Sequence, residues 1–406
     1  MRAGPLAAVL LVAAVLGGGA ALAIGKGAGW FDEDTKTVVV NAGTSAAPAT
    51  TLPADVSSSA SPLPGNAFNP QQIFANRSAG VVTIFAYFGD PASETTEISQ
   101  GSGFVISPKG YVLTNSHVIT NAGEGNAVSA AEHLFVEFSD GDREEAKIVG
   151  WDLYDDVGLI KLSSPEHALK AVPLGESAKV QVGQPVAAIG SPLGNENSLS
   201  VGVVSAIHRS IAAITVDRYR VVDAIQTDAP ITHGNSGGPL FDARGRVIGI
   251  NAQIRSQNGT GNDTGIGFAI PIDAAKHSVE SLIAKGKVTY AYVGIQTDDM
   301  TPSLARALDY KVDHGALIVD VTAGDPGARA GLRGGNEEVD VLGLQRFVTG
   351  GDVITAIDGI PVRHADDVVR IVSRLKPKDI SVFTVVRGDK RVKLAVTLGE
   401  RQLPSD

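Results

Sequence analysis

The chain has 406 residues, 43% of them hydrophobic and 19% charged, a composition of globular domains at a length that calls for two cores and connecting segments. A net charge of −10 with no basic stripe argues against a nucleic-acid surface. The absence of cysteine excludes disulfides, a thiolate nucleophile and cysteine zinc sites.

Between Arg2 and Lys26 runs AGPLAAVLLVAAVLGGGAALAIG, uncharged and mostly apolar. A membrane-crossing helix needs about 20 residues, which this run supplies. Leu6 to Leu16, followed by three glycines and Ala21-Leu22-Ala23, also reads as a cleavable signal peptide with an A-x-A site. Both readings send the rest of the chain across the membrane, and residues 1–31 are assigned to this transmembrane anchor or signal segment. Residues 32–67, rich in Ala, Ser, Thr and Pro, bury too little apolar surface to offset the entropy of ordering them and read as a disordered linker.

From residue 68 a short helical segment, NPQQIFANRS, leads into closely spaced β-rich runs bounded by Gly, Pro, Asn or Asp, among them GVVTIFAYF, DVGLIKL, PVAAIGSP and RVIGINAQI. Many short strands at this spacing predict a mainly β barrel or sandwich. The helix IDAAKHSVESLIAKG, stopped by Gly286, closes a first domain over 68–285. A second β-rich domain, 286–402, carries two helical segments, GARAGL and ADDVVRIVSRL. In the latter Val368, Ile371, Val372 and Leu375 fall on one face. GGNEEVDVLGLQRFVTGGDVITAIDG reads as an insertion before the Gly-Asp strand.

The stretch ITHGNSGGPLF crowds glycines around Ser236. Glycine lets a ligand approach the main chain closely, so such a loop suits backbone N–H groups aimed at a ligand, although it is also ordinary turn vocabulary. A serine becomes a nucleophile only when a base takes its proton and a third group orients that base. GYVLTNSHVI places His117 in a polar loop after a strand, and GWDLYDDVGLIKL places Asp156 at the start of an apolar strand that would bury its carboxylate, with Asp155 as the alternative acid. The order His117, Asp156, Ser236 is that of the chymotrypsin class.

With TNSHV, DVGLIKL, QTDAPITHGNSGGPL and GIGFAIP, the sequence resembles the HtrA (DegP-like) family of trypsin-like serine proteases over roughly residues 68 to 400. The resemblance implies a chymotrypsin-like double β-barrel followed by a PDZ domain. It implies that Ser236 attacks, His117 is the base and Asp156 its orienter, and that N–H groups of Gly234, Asn235 and Ser236, chiefly the first and last, receive the oxyanion. Asn235 carries no charge to pair with a new N-terminus, so activation is expected from loop rearrangement without cleavage. His233 departs from the family pattern and reads as a neutral loop residue or a pH-sensitive one.

The substrate pocket is expected from Ile231 with Ile266, Gly267, Phe268 and Ala269, all apolar or small, while Asp228 lies too early to make it acidic. AYVGI resembles the carboxylate-receiving loop of HtrA-type PDZ domains, so Tyr292, Val293, Gly294, Ile295 and Val368 are expected to hold a peptide C-terminus. No phosphate loop, H-E-x-x-H or calcium-loop spacing occurs, and neither metal nor organic cofactor is implied. The expected protein is a membrane-tethered or exported endopeptidase, acting on misfolded or exported polypeptides as a homotrimer. The alternative is a PDZ-bearing chaperone or adaptor with a vestigial site.

Overall fold

A computed structural model describes residues 68–401, apart from 94, 123–127, 164–167, 192–196, 213–214, 216–219, 233, 253–265 and 342–344. The expected anchor, the linker up to residue 67 and His233 lie outside the described residues. Among the described residues no helix is long and apolar enough to cross a membrane.

The fold opens with α1 (Pro70–Arg77), which starts where Asn69 accepts the N–H of Gln72 and Pro70 presets the helical φ. Six strands follow: β1 (Val81–Phe88), β2 (Glu97–Val105), β3 (Tyr111–Thr114), β4 (His133–Glu137), β5 (Arg143–Asp152) and β6 (Val157–Leu162). They close into a barrel of order β1-β2-β3-β6-β5-β4, with the single-turn helix α2 (Ser116–Ile119) between β3 and β4. A second barrel is built from β7 (Pro185–Gly190), β8 (Ser198–Ala212), β9 (Arg220–Thr227), β10 (Pro239–Phe241), β11 (Val247–Ala252) and β12 (Gly267–Pro271). Read from β7, its order is β7-β8-β9-β12-β11-β10, so the two barrels repeat one topology. Closure removes the open edges that short strands would otherwise leave.

The helix α3 (Ile272–Lys285) is stopped by Gly286 at φ 69°, whose N–H returns to the carbonyl of Leu282. Its buried residues Ile272, Ala275 and Leu282 join Phe104, Leu113 and Leu159 of the first barrel and Ile189, Phe241 and Ile250 of the second in one core cluster. This shared core fixes the seam between the barrels, where loops from both meet.

The remaining residues form a five-strand path, β14 (Ile295–Met300), β15 (Gly315–Val321), β18 (Val353–Ile357), β20 (Ile380–Arg387) and β21 (Lys390–Thr397), with β19 (Ile360–Pro361) paired to β18. Around it lie the paired β13 (Ala291–Tyr292) and β22 (Gly399–Glu400), and helices α4 (Pro302–Ala307), α5 (Pro326–Ala330) and α6 (Ala365–Val372). Val368, Ile371 and Val372 of α6 are buried in this second core. The insertion is a hairpin of β16 (Glu337–Val341) and β17 (Gln345–Thr349). The helix α4 was not anticipated, although Thr301, which accepts the N–H of Leu304, and Pro302 are a helix-start signal.

Candidate active site

His117 does not sit in a loop. β3 runs directly into α2, and the ring projects from that single turn. Asp156, the last residue of the turn before β6, takes φ 50° and is 4% exposed. Its Oδ2 lies 2.7 Å from Nδ1 of His117, while Oδ1 accepts the hydroxyl of Ser116 at 2.8 Å and the backbone N–H of His117 at 3.0 Å. The side chain of Asn115 donates to the carbonyl of Asp156 at 2.8 Å, so the turn and helix hold each other at four points. Asp155 turns away from His117, with Oδ2 2.9 Å from the Tyr290 hydroxyl oxygen.

The second barrel supplies Ser236, 4% exposed, whose Oγ has no hydrogen bond to a described residue. The loop is pinned by Ser102 of β2, which sequence reasoning missed. Its N–H donates to the carbonyl of Ser236 at 2.8 Å and its hydroxyl to that of Gly234 at 2.5 Å. Gly237, at φ 86°, admits no side chain, because a Cβ there would collide with the Ser102 carbonyl and the Thr114 hydroxyl.

The N–H groups of this loop meet different partners. Asn235 donates to Thr232 at 3.0 Å, Gly237 to Asn251 at 2.9 Å and Gly238 to Asn235 at 3.0 Å. The N–H groups of Gly234 and Ser236 have no partner among the described residues, so the spare donors are these two, and that of Asn235 is occupied.

The trypsin-like peptidase domain family matches residues 101–250 and the PDZ domain family residues 291–398. The putative serine protease HhoA of Synechocystis sp. is 36% identical over 327 residues, which cover 78% of this chain and 75% of that protein. The chain belongs to the HtrA/DegP family of trypsin-like serine proteases. Another family member, protease Do-like 1, chloroplastic, of Arabidopsis thaliana, is 37% identical over 75% of this chain and 65% of its own length. The probable periplasmic serine endoprotease DegP-like of Brucella suis is 37% identical over 76% of this chain, which spans only 54% of that relative. Among solved structures, the HtrA-type protease AlgW with tripeptide superposes with a TM-score of 0.66 at 30% identity, covering 83% of this chain and 98% of the other.

The strand pleat divides the residues grouped as this HtrA chain's substrate pocket. Ala269 is fully buried in the second barrel's core with Ala229, and Ile231 packs against the same cluster. Ile231 Cγ1 comes within 2.6 Å of where a Cβ on Gly267 would stand. Phe268 is half-buried on the other face of β12 from Ala269, and Ile266, just before the strand, is 52% exposed. Ala269 is therefore a core residue and not a wall. The carboxylate of Asp228 accepts the N–H of Val203 at 2.6 Å, which engages it on β8.

In the PDZ domain, β14 ends its strand path, so its outer edge is unpaired among the described residues, and α6 packs beside it. Val293 and Val368 lie in the same core and Ile295 packs against it. The carbonyls of Val293 and Gly294 are held by Gly327 at 2.7 Å and Thr322 at 3.0 Å, while their N–H groups have no described partner. Burial, and then the Asp325 carboxylate bonded to it, push the Tyr292 phenol up. Among the described residues no group of three or more His, Asp or Glu is placed to hold a metal ion.

Proposed function

We propose that the chain is an extracytoplasmic serine endopeptidase that cleaves misfolded or exported proteins through an acyl-enzyme. The observation that carries this reading is the double acceptance of His117, ring and backbone, by a buried Asp156 at the seam that also holds Ser236. The carboxylate keeps Nδ1 protonated, so Nε2 is left to take the proton of Ser236 as its Oγ attacks the carbonyl. Nε2 then returns that proton to the leaving amine, and water repeats the sequence on the ester. The hydrogen bond from the Ser236 hydroxyl to Nε2 of His117 forms as substrate binds. The spare N–H groups of Gly234 and Ser236 receive the oxyanion, each worth roughly a hundredfold or more in rate.

The apolar run after Arg2 and the periplasmic relative support action outside the cytoplasm, by a membrane anchor or after signal cleavage, and the homotrimer is carried over from the family resemblance. The pocket beside Ser236 is expected to be small and apolar, because Ile231 fills the space over Gly267 and the carboxylate of Asp228 is engaged by the N–H of Val203. Cleavage is expected after Val, Ala or Ile. Mapping the new C-termini released from an unfolded substrate checks this, and a majority of Lys or Arg there would refute it.

The free edge of β14 accepts a peptide as an added strand, with its carboxylate on the spare N–H groups of Val293 and Gly294. Amidating the peptide C-terminus is expected to weaken binding by about 1.5–3 kcal/mol, the worth of a hydrogen bond to a charged group. Calorimetry with matched free-acid and amidated peptides measures it, and equal affinities would remove the carboxylate-binding role.

A further inference from the structure

Behind the triad lies a buried polar cluster that the mechanism above does not use. Asp152, 2% exposed, ends β5 and caps the turn leading to Asp156. Its Oδ1 accepts the N–H groups of Tyr154 at 3.0 Å and Asp155 at 3.3 Å. Its Oδ2 accepts the hydroxyl of Ser278 on α3 at 2.6 Å and, in a short contact, that of Tyr290. Tyr290 lies in the segment joining α3 to β13. Its own carbonyl accepts the N–H of Arg401, next to β22, at 2.8 Å, and its ring packs edge-on against Tyr154 at 5.2 Å. One side chain thus touches the connection to the PDZ domain and the turn that presents the catalytic aspartate.

The Tyr290 hydroxyl oxygen lies 2.9 Å from Oδ2 of Asp155 as well as against Asp152, yet it carries a single proton. If that proton is donated to Asp152, the contact with Asp155 is a hydrogen bond only while Asp155 is protonated and donates to the phenol oxygen. Burial raises both carboxyls, and the neighbouring charge of Asp152 helps push Asp155 up to about 7. Asp223 on β9 acts on Asp155 in the same direction, while being itself paired with His208 and, at 3.0 Å, with Arg374. The cleft beside Asp155 also carries His277 and Asp273 from α3 and Arg370 from α6.

We propose that Tyr290 is a positioning residue for the triad: its hydroxyl ties Asp152 and a protonated Asp155 to the interdomain segment, so that displacement of that segment or loss of the shared proton loosens Asp156. The proposal rests on the reading of Asp156 as the triad acid. Below the unfolded value of 3.8 both states are protonated and the contribution to stability is complete. Between 3.8 and about 7 the unfolded state has lost a proton that the folded state keeps, so stability falls as pH rises through that window and then levels off.

The test uses the full chain and a short peptide reporter, with kcat, KM and thermal unfolding followed from pH 5.5 to 9 in wild type, Tyr290→Phe, Asp155→Asn and Asp156→Asn. Tyr290→Phe is expected to lower kcat roughly tenfold at pH 6 with KM within about twofold, a cost in the range of small misplacements at a triad. Asp155→Asn keeps an N–H donor toward the phenol oxygen at every pH. It is expected to raise kcat above wild type on the alkaline side and to flatten the decline of unfolding temperature between pH 5.5 and 8. Wild-type kcat in Tyr290→Phe, or an alkaline limb unchanged in Asp155→Asn, would overturn the proposal. Full activity in Asp156→Asn would instead overturn the triad reading on which it rests.

Discussion

Ser236→Ala is expected to lower kcat roughly a million-fold and leave the unfolding temperature near that of the wild type. The substitution removes one oxygen that has no hydrogen bond to a described residue, from a loop whose shape is set by Gly237 and by the two bonds of Ser102. His117→Ala should cost about as much, and the double variant little more, because attack and proton removal are one event. Casein hydrolysis and thermal unfolding measured on the same preparations check this. Comparable hydrolysis by wild type and Ser236→Ala would take Ser236 out of the mechanism.

Asp156→Asn is expected to reduce kcat about ten-thousand-fold with the fold retained. The reason lies in the count of donors around the carboxylate. Ser116 Oγ and the N–H of His117 both point at Oδ1, and the ring Nδ1 faces Oδ2. An amide has one acceptor oxygen, and the position served by two donors retains it. Its NH₂ group then faces Nδ1, which forces the ring proton onto Nε2, where it blocks acceptance from Ser236. Near-normal kcat would mean that the orienting group is another residue, with Asp155 the first to test.

The β-rich double architecture was legible because short alternating runs bounded by turn residues have few other solutions, and the helix α6 because its four apolar positions share a face. The matching strand order of the two barrels was not, since register and closure depend on pairings distant in the chain. His117, Asp156 and Ser236 could be named from order and local context, and the structure brings the first two into contact. Ser102 could not be singled out, because GSGF looks like any strand entry until β2 lies against the serine loop. The pleat of β12 turns Ala269 into the core while Ile266 stays exposed, a distinction that their shared apolar character does not carry. Tyr290 escaped notice for a similar reason: its two carboxylate partners lie 138 and 135 residues away, and only folding of α3 across both barrels brings them together.

In this mechanism His117, held by Asp156, activates Ser236. Diisopropyl fluorophosphate reports this directly, because Ser236 Oγ must lose its proton to His117 as it attacks phosphorus and expels fluoride. The protein is treated with the reagent in the presence of a peptide with a free aliphatic C-terminus, and the site of addition is mapped by mass spectrometry. One adduct is expected, on Ser236, and it disappears in His117→Ala. Labelling of Ser236 that persists undiminished in His117→Ala, or casein-degrading protein that carries no adduct on Ser236, would contradict it.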